Sequence, residues 1–296
     1  MKKNKNIINF LVVVVLLAGC TRKAIIVPRT LVESVHTSLG NPTLARSDTT
    51  DADNYLILKK QYALSYNRRL GHANWVSWEL DAEWLGQSDR RDDFRPDRGL
   101  PAGWYRVRPD DYTNTGFDRG HLCPSASRTA SVGDNSSTFV MTNMIPQAPT
   151  LNREAWARLE AYCRTLVGQG YRLFIVAGTY GVGGKGSKGF LTSLNGRVSV
   201  PARNYKVIVA VENLGRVEQI DGSTAVIAVD FPNDNELVDN RSWSGFVTTP
   251  AEIERAAGVK FFNYLPESVR NELREVRFDP TTTTLGMSGE ERVMPK

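Results

Sequence analysis

The residues of this chain best suited to chemistry are a histidine, an asparagine, a glutamate and an arginine, set along one stretch. His121 closes the polar quartet Asp118-Arg119-Gly120-His121 and is one of only three histidines. Its imidazole has an ordinary pKa near physiological pH, so in polar surroundings it is a ready general base. Downstream, Asn152 offers a neutral amide oxygen, Glu160 a carboxylate and Arg164 a guanidinium. Phosphodiester hydrolysis asks for such a set: a base for water, positive charge to meet the phosphate, and help for the leaving oxygen. A hard divalent cation keeps most of its waters, so one asparagine carbonyl with carboxylates nearby is enough to hold it.

The elements that position these groups are legible in outline. Asn152 to about Val167 reads as a helix, with Trp156, Leu159, Cys163 and Leu166 as an apolar stripe at spacings of three and four. On an α-helix Asn152 and Glu160 stand about 80° apart around the axis and can border one site. Arg164 follows Glu160 at i+4, which makes an ion pair natural. Blander assignments remain open at this point. Asn152 could be a helix cap, Glu160 and Arg164 a solvated surface pair, and His121 a structural hydrogen-bonder. His36 and His72 read as bystanders. His121 and Cys123 on one strand face also sketch a thiol nucleophile, without an orienting residue or an oxyanion element.

Strands are expected at Tyr62–Tyr66, Trp75–Leu80, Thr138–Met141, Tyr171–Ala177, Tyr205–Val211 and Thr224–Val229. Thr249-Pro250-Ala251-Glu252 carries a helix start, with a threonine cap, proline in the first turn and a capping-box glutamate; Gly258 fits the stop. The glycine and lysine loop 181–189 lacks P-loop spacing. The order of elements is mixed and not a regular βαβ alternation, so the fold class is α+β with a mainly antiparallel central sheet.

The N-terminus stands apart. Lys2, Lys3 and Lys5 precede an apolar run from Phe10 to Leu17 that is too short to span a bilayer and has the shape of an export signal. Leu17-Ala18-Gly19-Cys20 resembles a bacterial lipobox, which implies cleavage before Cys20 and a lipid on its thiol. The expected division is a signal peptide over 1–19, a flexible tether over 20–50, a catalytic domain over 51–280 and a loose tail over 281–296. With the signal lysines removed, 34 basic residues face 32 acidic ones, so net charge makes no case for nucleic-acid binding. The kind of cation says more. Between Gln61 and Gly184 there are fourteen arginines and no lysine, and arginine can grip phosphate bidentately. Once Cys20 is lipidated, Cys123 and Cys163 remain, and an oxidising compartment would allow them to pair.

Several ordered motifs together resemble the sugar-non-specific DNA/RNA endonucleases of the ββα-metal, or His-Me finger, class. These are Asp118-Arg119-Gly120-His121, then Asn152-Arg153-Glu154-Ala155-Trp156 and Glu160. Arg90-Arg91-Asp92-Asp93-Phe94-Arg95-Pro96-Asp97, Thr142 to Gln147 and Ile253 to Phe262 also match, so the likeness runs over about residues 55–270. The resemblance implies a ββα-metal fold and cleavage of DNA and RNA with little base preference. It implies that His121 is the base and Asn152 the sole direct protein ligand of a catalytic Mg²⁺, with Mn²⁺ as a substitute. Glu160 would hold metal-bound water, Arg164 and Arg90 would stabilise the phosphate, and Asp118 and Arg119 would shape the site. Arg91 competes with Arg90, whose offset from the Asp-x-Phe element fits better. The protein is then expected as a membrane-anchored lipoprotein at the outer membrane, in the periplasm or at the cell surface, as a monomer or a homodimer. A catalytically silent envelope lipoprotein that only binds nucleic acid or a partner is the rival from another class. It would be expected to lack the base, the ligand or an arginine, and this chain lacks none.

Overall fold

The computed structural model describes residues 34–212, 214–280 and 285. The signal segment, Cys20, the start of the tether and most of the tail lie outside the described residues. The centre is a seven-stranded sheet in the order Tyr55–Leu58, Ala63–Asn67, His72–Leu80, Arg172–Tyr180, Arg203–Val211, Ala225–Pro232 and Val247–Thr248. Every neighbouring pair is antiparallel. The fold is therefore α+β around an antiparallel sheet, as the element order implies.

Period-2 alternation divides the central strands between two cores. In Arg203–Val211, Tyr205, Val207, Val209 and Val211 pack with Ile253, Phe261 and Leu273 of the C-terminal segments. Ile208 and Ala210 face the other way and meet Trp156, Leu159, Cys163 and Leu166 of a long helix. The helix Pro250–Ala257 starts on the Thr249/Glu252 capping box and stops at Gly258 in the left-handed conformation.

A small motif built off the main sheet sets up the chemistry. Strands Asp118–His121 and Met144–Gln147 pair antiparallel, with His121 opposite Met144, and the chain then enters the long helix. This is a ββα unit. Gly120 is required there by close packing: a Cβ at that position would lie 2.2 Å from Gln147 Oε1. Asn233, at the end of a central strand, fastens the unit to the sheet. Its side chain accepts from the Ala148 N–H at 2.7 Å and donates to the carbonyls of Pro146 and Pro201, both at 2.9 Å.

Four expectations are corrected. The long helix starts at Pro149, and Asn152–Trp156 within it is a π-turn before α-helix resumes at Ala157–Gly168. Asn152 is therefore one turn inside the helix and is not its cap. Thr138–Met141 is not a strand: apart from a single bridge between Val140 and Arg95, it belongs to turns. From Ser34 onward the supposed tether is folded onto the domain. His36 and Asn41 are buried, and His36 Nε2 meets the Lys60 carbonyl at 2.7 Å. A polar composition misleads there because the polar groups are satisfied internally. In the tail, Leu285 is buried against the helix-side core.

Candidate active site

The strand Asp118–His121 delivers its side chains alternately to two sides. Arg119 and His121 share one side and both reach Phe94, with the Arg119 guanidinium 4.4 Å from the ring centre and the imidazole 5.6 Å away. Phe139 closes on the imidazole edge-to-face at 4.8 Å. His121 is consequently buried, and its Nε2 has no hydrogen-bond partner. Burial first, then the charges of Arg90 and Arg119, hold its pKa down at about 3. The ring is neutral at physiological pH, which a proton acceptor requires.

Asp118 points to the other side, onto the helix. One of its oxygens accepts from Asn152 Nδ2 at 2.9 Å, and the pair of oxygens receives Arg153 at 2.7 and 2.9 Å. With the amide nitrogen committed to Asp118, the Asn152 carbonyl oxygen is left for another ligand. Asn152, Asp118, Arg119, Arg90 and Phe94 line one open cleft. An amide oxygen beside a carboxylate suits a hydrated hard cation, which needs few protein ligands. The donor set thus fits Mg²⁺, and the Asn152 carbonyl oxygen is the atom that would hold it.

The π-turn changes the helix geometry in favour of the site. A π-turn holds one residue more than an α-turn. Glu160 therefore takes the phase of position i+7, about 20° from Asn152 in place of 80°. Arg164 comes to about 20° on the other side, so all three project along one stripe. The expected Glu160–Arg164 ion pair is not formed. Glu160 instead meets Lys206 Nζ at 3.5 Å. Burial raises the Glu160 carboxyl, opposed first by Lys206 and then by Arg164. Arg164 is half-buried and has no ion-pair partner within salt-bridge distance among the described residues.

Arg90 and Arg91 are separated by the structure. The Arg90 guanidinium lies 4.9 Å from the Phe139 ring centre, donates to Ser125 Oγ at 3.0 Å and lines the cleft. Arg91 is exposed, and its backbone N–H is held by Asn135 Oδ1 at 3.0 Å. The thiol nucleophile reading loses its basis. The strand ends at His121, and burial pushes the Cys123 thiol up to about 11. Cys123 and Cys163 are both free and buried, so they do not brace the site.

Sequence reasoning missed Phe94 and Phe139 as the cage of the imidazole. It also missed Lys206 beneath Glu160, and Trp156, whose Nε1 donates to the His121 carbonyl at 3.3 Å. Lys206 had a visible signal: it alternates with Ile208 and Ala210, so strand periodicity alone puts it on a core face. Its side chain is 1 % exposed, and the ammonium lies 4.0 Å from the centre of the Trp156 ring.

All three histidines are shifted in the same direction. His36 and His72 are held at about 4, mainly by burial, and His121 at about 3. Each folded value is below the ordinary one near 6.5, so the unfolded chain binds protons that the folded chain refuses. Their stabilising contribution is complete above about pH 6.5 and is lost as pH falls toward 4. NMR titration of the imidazole Cε1–H resonances should show no midpoint between about pH 5.5 and 8. A histidine titrating near 6.5 would contradict this burial.

A family described as DNA/RNA non-specific endonuclease matches residues 39–268. A nuclease from Nostoc sp. is 46 % identical over 241 residues, covering 81 % of this chain and 85 % of the relative. Nuclease C1 of Cunninghamella echinulata is 33 % identical, with 79 % and 90 % covered, and human mitochondrial endonuclease G is 31 % identical, with 69 % and 68 % covered. Among solved structures, EndoG in its complex with EndoGI matches with a TM-score of 0.64 at 26 % identity, covering 79 % of this chain and 92 % of that one.

Proposed function

The chain belongs to the DNA/RNA non-specific endonuclease family, hydrolases of nucleic-acid phosphodiester bonds, and we propose that it is an exported, Mg²⁺-dependent member using His121 as general base. The observation that carries the base assignment is a neutral, caged imidazole packed behind Phe94, which lines the same cleft as Asn152, Arg90 and Arg119. Nε2 is enclosed by the cage, so Nδ1 is the nitrogen left to take a proton from water, and Phe94 and Phe139 fix the direction in which it does so. Arg90 and Arg119 lower the proton affinity of the ring, and with Arg90 paired to Asp92 at 2.7 Å it is Arg119 that brings uncompensated positive charge to the cleft where a phosphate would stand. Asp118 holds Asn152 and Arg153 in place. Glu160, kept by Lys206, faces the same stripe of the helix as Asn152. The Mg²⁺ ion, when bound, supplies Lewis-acid stabilisation of phosphate and leaving-group oxygens.

Supercoiled plasmid and a long RNA are the substrates to offer. Nicking and then fragmentation of both are expected with Mg²⁺, abolished by EDTA and restored by excess Mg²⁺ or Mn²⁺. Binding without any cleavage would support the silent lipoprotein instead. Lipid attachment at Cys20 is supported by the lipobox-like Leu17-Ala18-Gly19-Cys20. It predicts that labelled fatty acid enters the wild-type protein and not the Cys20→Ala variant; equal labelling of the two would refute it.

A further inference from the structure

A second cleft lies against the catalytic one. Arg95, Arg98, Arg106 and Arg108 line it, with Asp97 as the only carboxylate among its walls. Asp97 is already engaged, by Lys59 at 2.9 Å and by the Thr142 hydroxyl at 2.7 Å. Arg95 is offset by Asp93 at 2.9 Å. The other three keep their charge. Arg106 donates only to the carbonyls of Asp97 and Leu100, which orient its guanidinium without neutralising it. Arg98 and Arg108 are exposed, and among the described residues no ion pair reaches either. The nearby Asp111 carboxylate is occupied by the Tyr105 hydroxyl at 2.8 Å and the Arg108 backbone N–H at 2.7 Å.

The two clefts share a wall. Phe94 faces the catalytic cleft, and Arg95, the next residue, faces the second. That wall is held firmly: the Arg95 N–H donates to the Phe139 carbonyl at 3.1 Å, and the Met141 N–H donates to the Arg95 carbonyl at 2.9 Å. Phe139 is the same ring that cages His121. We infer that this arginine cleft binds the phosphodiester backbone of the substrate beyond the scissile phosphate, so that a polynucleotide is gripped at two places. The inference rests on the nuclease reading above. Three uncompensated guanidinium groups match a string of phosphates in charge and in hydrogen-bond geometry. Tyr105, 37 % exposed on the rim, carries the Arg197 guanidinium over its ring at 4.4 Å, which brings a further positive charge to this edge.

The test uses the Arg98→Ala/Arg108→Ala double variant, in which both altered side chains are solvent-facing and outside the catalytic cleft. Binding of a fluorescent single-stranded DNA of about 40 nucleotides is followed by anisotropy in EDTA across a salt series. Affinity should fall about tenfold, and the slope of log K against log salt should become shallower by about 1.4, the amount expected for two lost phosphate contacts on a single strand. Cleavage in Mg²⁺ of a dinucleoside monophosphate, which has no phosphate beyond the scissile one, should stay within about twofold of wild type. Unchanged affinity and slope on the long strand would overturn the inference, as would an equal loss on the dinucleoside monophosphate. If the wild type cleaves neither substrate, the nuclease reading fails, and the salt series still decides the second cleft.

Discussion

Replacing His121 with leucine should reduce cleavage by at least about a hundredfold while leaving the fold as stable as wild type or more so. The two halves of this outcome have separate causes. The loss follows from removing the proton acceptor, a contribution of about 10² to 10⁴ in rate for a well-placed base. The stability follows from what the ring costs where it stands. His121 is buried between Phe94 and Phe139, and its Nε2 has no partner. A buried polar atom left unsatisfied costs about 1 to 3 kcal/mol, and leucine removes that cost while filling most of the space. A purely structural histidine predicts the reverse, with a lower melting temperature and retained cleavage. Thermal melts and plasmid cleavage on the same preparation separate the two readings.

Asn152→Ala should raise the Mg²⁺ concentration needed for half-maximal cleavage by more than about tenfold. The reason is the division of labour within one amide. Its nitrogen donates to Asp118, and its oxygen is the group left for the ion. Alanine removes both. Asp118→Asn should give a milder shift of the same kind, because it releases Asn152 and Arg153 from their shared carboxylate while keeping the amide oxygen. The affinity for nucleic acid in EDTA should barely change in either variant. A Mg²⁺ titration of Asn152→Ala that overlays the wild-type curve would remove this residue from the site.

Much of the site was legible in the sequence because its parts are local. Asp118 to His121 is one strand, and Asn152, Glu160 and Arg164 are on one helix, so residue type and spacing alone bring them into view. The phase of that helix was not legible. No rule of propensity places a π-turn at Asn152–Trp156, and the turn is what aligns Glu160 and Arg164 with Asn152. The cage of His121 was hidden for a different reason. Phe94 and Phe139 come from separate loops and meet the imidazole only through tertiary packing. Lys206 was readable as a lysine on a buried strand face, but its partner across the helix was not. The sheet came through well, since long β-branched runs such as Tyr205–Val211 report burial directly. Thr138–Met141 was too short a run to tell strand from turn. The segment after Ser34 was misread because composition measures polarity, whereas Asn41 and His36 satisfy their polar groups inside the fold.

In the proposed mechanism water, deprotonated by His121, attacks the phosphorus of the substrate. Cleavage of DNA and of RNA in ¹⁸O-labelled water, with the products weighed by mass spectrometry, addresses it directly. A single ¹⁸O in the new terminal phosphate of both products is the predicted result, with no cyclic phosphate on the RNA. An RNA product ending in a 2′,3′-cyclic phosphate, or a DNA product without the label, would show that something other than water makes the attack.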